Sequence, residues 1–261
     1  MKIAILGAAG RMGQFLLSTA AKTEGCEVVA AVERPDHPLL GAAVAVPGVP
    51  AGLTYSSQWP AGAEVVIDFT FHSCVPNNLS NAAANGQGYV LGTTGLTPEE
   101  QEAVHAAAKA IPVIWAPNMS LGVNLLLELV RRSAEILGPE YDIEIVETHH
   151  RLKKDAPSGT AIGLAQAAAS GRKVSLDDVA CYGRQGIVGE RPYGEIGIHA
   201  LRGGSVVGDH TVHFIADEER IEITHKASSR EVFAKGAIRG ALWVGGKQPG
   251  IYTMRHVLGF E

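Results

Sequence analysis

Two stretches of this 261-residue sequence concentrate groups that can do chemistry. The first is His149-His150-Arg151-Leu152-Lys153-Lys154, in which five of six side chains are cationic or become so on protonation. A charge run is usually a solvated loop. The sequel, Asp155-Ala156-Pro157-Ser158-Gly159-Thr160, tilts the reading toward a site. Ser158 is a natural helix N-cap, and Gly159 and Thr160 offer backbone N–H groups to an anion. A cationic loop feeding a helix start makes a pocket for a carboxylate or phosphate. Neighbouring strand residues point to opposite faces, so His149 and His150 are expected to have different tasks, one on the ligand and one orienting the loop.

The second stretch is Gly7-Ala8-Ala9-Gly10-Arg11-Met12-Gly13, between a predicted strand and a predicted helix. Glycines there permit a tight turn and close approach of a pyrophosphate, while the helix start supplies free N–H groups. The spacing is G-x-x-G-x-x-G. Glu33 lies about 20 residues beyond, at the end of the second strand, where an acidic group accepts from ribose hydroxyls. Arg11 and Arg34 are placed to pair with a 2′-phosphate. Glu33 favours NAD and the arginines favour NADP, so dual use is open. Gly92-Thr93-Thr94-Gly95 and Ala116-Pro117-Asn118-Met119 follow two further strands. They read either as flanks of a nicotinamide ribose or as ordinary turns.

These groups need a frame. Lys2–Leu6, Glu27–Val32, 64–69, 89–91 and 112–116 read as strands, and 10–22, 73–85 and the segment from Thr97 as helices. Thr97-Pro98-Glu99-Glu100 is a strong helix start. Strands alternating with helices predict a doubly wound parallel sheet of the Rossmann kind. After residue 120 the texture changes. Residues 120–137 form a long apolar helix. Residues 141–148 and 195–226 alternate, with a hairpin turn at Asp217-Glu218-Glu219. This predicts a smaller α+β unit with a mixed sheet. The expected domains are 1–120 with 230–261, for a dinucleotide, and 121–229, for substrate and oligomerisation. His210 and His213 lie three apart on a strand, face opposite sides and do not chelate a metal. They and His225 read as structural.

Composition removes several classes. With 46% hydrophobic and 19% charged residues, the chain is globular. A net charge of −5 gives no global positive field for nucleic acid. Three scattered cysteines give neither a disulfide framework nor a zinc pattern, which fits a reducing cytoplasm. No apolar run is long enough to span a membrane.

Six segments together resemble the 4-hydroxy-tetrahydrodipicolinate reductase family, also called dihydrodipicolinate reductase. They are the glycine loop, Asp68-Phe69-Thr70, Gly92 to Gly95, Glu147 to Lys153, Asp155 to Ala161, and Ile223 to Arg230. The resemblance runs from Lys2 to near the C-terminus. It implies reduction of a cyclic dicarboxylate by NADH or NADPH in lysine and diaminopimelate biosynthesis: ring C4 loses its hydroxyl as water and receives hydride. It further implies His149 as acid/base and Lys153 as a second proton donor. His150, Gly159 and Thr160 would hold the carboxylates. Gly7, Ala8, Ala9, Gly10, Arg11, Met12, Glu33, Arg34, Gly92, Thr93, Thr94, Ala116, Pro117, Asn118 and Met119 would hold the cofactor. No metal is implied, and a homotetramer is. Two other readings compete: a different two-domain NAD(P)-dependent dehydrogenase, and a non-catalytic NAD(P) sensor. Neither has reason to keep His149, Lys153 and the Ser-Gly-Thr helix start together.

Overall fold

A computed structural model describes residues 1–260. In chain order the elements begin β1 (Lys2–Leu6), α1 (Arg11–Ala20), β2 (Glu27–Val32), β3 (Tyr55–Ser56), β4 (Val65–Asp68), α2 (Val75–Ala84), β5 (Gly88–Leu91), α3 (Pro98–Ala107) and β6 (Pro112–Trp115). Next come α4 (Leu121–Leu137), β7 (Asp142–His149), α5 (Gly159–Arg172), α6 (Leu176–Val179), β8 (Ala180–Tyr182), β9 (Ile196–Arg202), β10 (Gly208–Ile215) and β11 (Arg220–Ala227). The chain closes with α7 (Glu231–Val244), β12 (Gly250–Tyr252) and α8 (Met254–Leu258). They form two compact units. One is Met1–Leu121 with the chain from Arg230 onward, and the other is Gly122–Ser229.

In the first unit seven parallel strands lie in the order β12-β6-β5-β4-β1-β2-β3. The chain runs outward from β1 through β2 to β3, then restarts at β4 on the other side of β1. The C-terminal ends of β1 and β4 therefore form the switch point at which such sheets bind ligands. Both faces are covered. Ile3, Ile5, Val65 and Ile67 pack with Leu16 and Leu17 of α1 and Ala237, Ile238 and Ala241 of α7. Ala4, Leu6, Val66, Tyr89 and Leu91 pack with Leu79 of α2 and Val104 of α3. Burial on both faces is why β1 and β4 read as unbroken apolar runs. Truncating Ile5 or Ile67 to alanine is expected to cost about 2–5 kcal/mol.

In the second unit the sheet order is β11-β10-β7-β9-β8. β7 pairs antiparallel with β10 and parallel with β9, so the sheet is mixed. The alternation of β7 turns Ile143, Ile145, Glu147 and His149 to the buried face. Leu164, Ala165, Ala168 and Ala169 of α5 cover that face together with Leu126, Val130 and Ala134 of α4. The alanine-rich stripe lets α4 and α5 approach closely; a Cβ at Gly171 would strike the Arg131 carbonyl.

The sequence pattern and the structure differ in detail. The helix expected over 73–85 opens with a 3-10 turn, His72–Cys74, before α2. The two- and three-residue strands β3, β8 and β12 carry no legible alternation, because a period of two needs more residues than they have.

Candidate active site

The glycine loop closes the end of β1. Gly7 takes a positive φ of 69°, and the N–H groups of Gly7 and Ala8 donate to the Val32 carbonyl at 2.9 and 3.2 Å. The Gly10 N–H donates to the Gly7 carbonyl at 3.0 Å. A Cβ at Gly13 would run into the carbonyls of Gly7 and Ala8, so α1 sits directly on the turn. Among the described residues no side chain caps the start of α1, and its first turn holds no acidic residue. Its N–H groups and positive dipole end are therefore open to an anion. α3 is the opposite case: Thr97 and Glu100 close a full capping box.

Glu33 turns inward and accepts the Ala9 N–H at 2.8 Å, tying β2 to the glycine loop. Arg11 and Arg34 are exposed, and Arg34 pairs with Asp36 at 3.2 Å. Ala8 is buried and Met12 half-buried against the core.

The neighbouring strand ends converge on this loop. A Cβ at Gly7 would lie 3.2 Å from the Phe69 carbonyl, and one at Gly92 would enter the Phe69 ring. Their anchor is Asp68, fully buried at the end of β4. Its Oδ1 accepts from the Thr70 N–H (2.8 Å), the Thr70 hydroxyl (2.7 Å) and the Thr93 hydroxyl (3.0 Å). Its Oδ2 accepts from Asn78 (2.9 Å) and from the Tyr89 hydroxyl. Burial, and then the Asp68 carboxylate, push the Tyr89 hydroxyl well up, so it stays a donor. Thr93 is thus engaged with Asp68, while Thr94 is exposed. After β6, Ala116 and the Met119 side chain belong to the core, Pro117 is exposed, and Asn118 Oδ1 accepts the Ser120 N–H at 2.9 Å.

In the second unit the end of β7 carries a second buried carboxylate. Glu147 Oε2 receives His149 Nδ1 at 2.5 Å and an Arg202 nitrogen at 2.8 Å. Its Oε1 receives the other Arg202 nitrogen at 2.8 Å and the Ser158 N–H at 2.9 Å. Burial opposes ionisation of Glu147, but the hydrogen bonds from Arg202, His149 and Ser158 outweigh it and hold the carboxyl below its usual range. Arg202 also donates to the Asp155 carbonyl at 2.7 Å, bracing the loop that bears Lys153. Lys153 Nζ pairs with Asp155 Oδ2 at 3.0 Å. The Ser158 hydroxyl caps α5 by accepting the Ala161 N–H at 3.2 Å. Gly159 is exposed and meets open space at its Cβ position, and Thr160 is half-buried. His150 is held through its backbone N–H to the Val206 carbonyl at 2.8 Å.

Three groups here escaped sequence reasoning. Glu147 and Arg202 stand in the register that pairs His149 with Arg202 across β7 and β9. His210, read as structural, packs edge-on against His149 with ring centroids 5.1 Å apart, and its Nε2 lies 3.1 Å from the Ser158 hydroxyl. Burial, and then the proximity of His149, lower His210 to about 4, so it is neutral at pH 7. The period-two pattern set His210 and His213 on opposite faces. It carried no sign of which face meets α5. Among the described residues no group of three or more His, Cys, Asp or Glu is arranged to hold a metal ion, and no helix is long and apolar enough to cross a membrane.

Comparison with known proteins gives a consistent set of relatives. Residues 1–119 match the family model for the N-terminus of dihydrodipicolinate reductase, and residues 122–258 match that for its C-terminus. The 4-hydroxy-tetrahydrodipicolinate reductase of Anaeromyxobacter sp. (strain Fw109-5) is 48% identical, with 100% of this chain and 98% of that protein aligned. The enzyme of that name from Magnetococcus marinus is also 48% identical, over 100% of this chain and 99% of its own. A solved dipicolinate-bound dihydrodipicolinate reductase from Paenisporosarcina sp. TG-14 superposes with a TM-score of 0.77, at 26% identity and 97% coverage of both chains.

Proposed function

The chain belongs to the dihydrodipicolinate reductase family, and from that premise we propose how its residues carry the NAD(P)H-dependent reduction of 4-hydroxy-tetrahydrodipicolinate in lysine and diaminopimelate biosynthesis. The first unit is the dinucleotide-binding domain and the second binds substrate. Substrate, reduced cofactor and one proton become tetrahydrodipicolinate, oxidised cofactor and water. When bound, the nicotinamide supplies hydride to ring C4.

The residues present fit that cofactor. The start of α1 has no side-chain cap, and Gly7, Gly10 and Gly13 let the turn pack directly under the helix start, where a Cβ would press on backbone carbonyls. The backbone of Gly7, Ala8, Ala9, Gly10, Arg11 and Met12 would hold the pyrophosphate. Glu33 would meet the ribose with the carboxylate oxygen left over from Ala9. Gly92, Thr93 and Thr94, with Ala116 to Met119, would line the nicotinamide side. Arg11 and Arg34 lie exposed at the surface, Arg34 on its pair with Asp36, and as candidate partners of a 2′-phosphate they support use of both NADH and NADPH.

His149 acts as general acid/base. It gives or takes the proton that accompanies loss of the 4-hydroxyl and ring reduction, and Lys153 is the second donor. His150 and the Gly159 and Thr160 backbone at the start of α5 hold the substrate carboxylates. The observation that carries this reading is the buried Glu147–His149 pair, whose carboxylate also takes the Ser158 N–H beside that helix start. A homotetramer assembled through the second unit's sheet, and a cytoplasmic setting, follow from the same reading. Light scattering should return four times the chain mass.

The test is cofactor oxidation at 340 nm, with substrate generated in place by the upstream synthase from pyruvate and aspartate semialdehyde. Turnover that requires the synthase is expected with both NADH and NADPH. Binding of either cofactor without turnover would overturn the reading and favour another dehydrogenase or a sensor.

A further inference from the structure

We propose that Glu147 and Gly208 together select Nε2 of His149 as its proton-exchanging atom: Glu147 as a positioning residue that occupies Nδ1, Gly208 as the gap that leaves Nε2 uncovered. The proposal rests on the reading of His149 as acid/base and adds to it which atom works and what fixes it.

A neutral imidazole carries one N–H, and an ionised carboxylate can only accept. With Glu147 Oε2 2.5 Å from Nδ1, the proton on that side is held by the pair, and Nε2 is left to exchange. Glu147 has no freedom to do otherwise. A carboxylate has about four acceptor positions, and Glu147 spends them on His149, the two Arg202 nitrogens and the Ser158 N–H, at 2.5–2.9 Å. It is fully buried, so water cannot compete.

The other side of the ring is controlled by a missing side chain. A Cβ at position 208 would stand 2.9 Å from His149 Nε2 and 3.5 Å from Cδ2. Gly208 is not among the residues with positive φ, so its backbone would accept alanine. The need for glycine there is room beside Nε2. The charged and titratable groups facing His149 are Glu147 on β7, Arg202 on β9 and His210 on β10. His225 lies on β11, opposite His210, and Lys153 and Asp155 lie on the following loop.

The test combines kinetics of H149Q, E147Q, E147D and G208A with nitrogen-15 spectra of the histidine rings in the unmodified protein. The expected spectrum shows His149 protonated at Nδ1 and bare at Nε2. E147Q is expected to lower kcat about 10²- to 10⁴-fold, with cofactor Kd unchanged and the pH profile of kcat displaced, because the carboxylate that holds Nδ1 is gone. E147D should recover part of the loss. G208A should lower kcat at least about tenfold at unchanged cofactor Kd, with a modest fall in Tm from the added Cβ. If H149Q is inactive while E147Q and G208A stay within twofold of the parent, this inference falls and the acid/base reading stands. If H149Q is itself within twofold, the acid/base reading falls. A loss in E147Q with an unmoved pH profile, or a neutral His149 ring that carries its proton on Nε2 instead of Nδ1, also overturns the proposal. If E147Q does not fold, G208A and the spectrum still decide.

Discussion

Each unit buries one carboxylate completely at the C-terminal end of a strand: Asp68 on β4 and Glu147 on β7. Both are fully hydrogen-bonded, as burial demands. Their partners differ in kind. Asp68 gathers neutral donors: two hydroxyls of threonine, one of tyrosine, an amide and a backbone N–H. Glu147 gathers a guanidinium, a histidine and a backbone N–H. The first arrangement holds no imidazole among its members, and it fixes the loops after β4 and β5. The second has a titratable ring as one of its members. On the proposed function, the first unit would bind a cofactor that carries its own chemistry and so needs a rigid cradle. The second would move protons and so needs charge arranged around an imidazole.

The largest expected effect breaks the two anchors directly. Asp68→Ala strands Tyr89, Asn78 and two threonine hydroxyls, and is expected to lower stability by about 3–5 kcal/mol in urea unfolding. Asp68→Asn keeps the shape. It should raise cofactor KM while leaving saturated kcat within about threefold, against the collapse expected for E147Q. Equal losses of kcat in D68N and E147Q would erase the distinction between frame and proton-transfer site.

Next in size is acid sensitivity, expected to be sharp in the second unit. His210 titrates near 4 in the fold against 6.5 in the free side chain. Between those values the unfolded chain binds more protons, so stability rises with pH. His210 thus contributes stability that is present above about pH 6.5 and lost as pH falls toward 4, on the order of 3 kcal/mol in all. Glu147, held below its ordinary value, adds a loss as pH falls below about 4.3. Urea midpoints taken from pH 7 to 4 should fall, and His210→Gln should flatten the part between 6.5 and 4. An unchanged slope in that variant would assign the acid sensitivity elsewhere.

Legibility in the sequence followed the length scale of each contact. The glycine loop, the Ser158 cap and the Thr97 box are local, so residue type and spacing revealed them. Long apolar runs marked β1 and β4, and alternation marked β7 and β10, because burial on two faces or one leaves those patterns. The anchors were not legible as anchors. Arg202 lies 55 residues from Glu147, and Tyr89 lies 21 from Asp68. What unites them is strand register, and register is a property of paired strands that no single segment carries. Asp68-Phe69-Thr70 carries part of the family resemblance without showing its reason. The reason is that one carboxylate at a strand end holds the loops after two strands. Glu33 gave a subtler lesson. Its position fitted a ribose-binding acid, yet one of its oxygens already holds the Ala9 N–H.

The smallest effect uses the same deletion in both units. Thr97 and Ser158 each cap a helix, accepting the N–H three residues on at 3.3 and 3.2 Å. As a helix cap alone, either hydroxyl is worth about 1 kcal/mol of stability. Thr97 has no further partner in the chemistry, since its box is closed by Glu100. Thr97→Ala should therefore leave KM and kcat unchanged. The Ser158 hydroxyl also meets His210 Nε2, and the Ser158 N–H meets Glu147. Ser158→Ala frees a buried imidazole that packs edge-on against His149. It should raise substrate KM or lower kcat severalfold, and lower Tm further than Thr97→Ala does, because His210 Nε2 is left buried without its partner. Identical kinetics in the two variants would mean that the start of α5 is only a helix start, and that the carboxylate pocket lies elsewhere along the His149 loop.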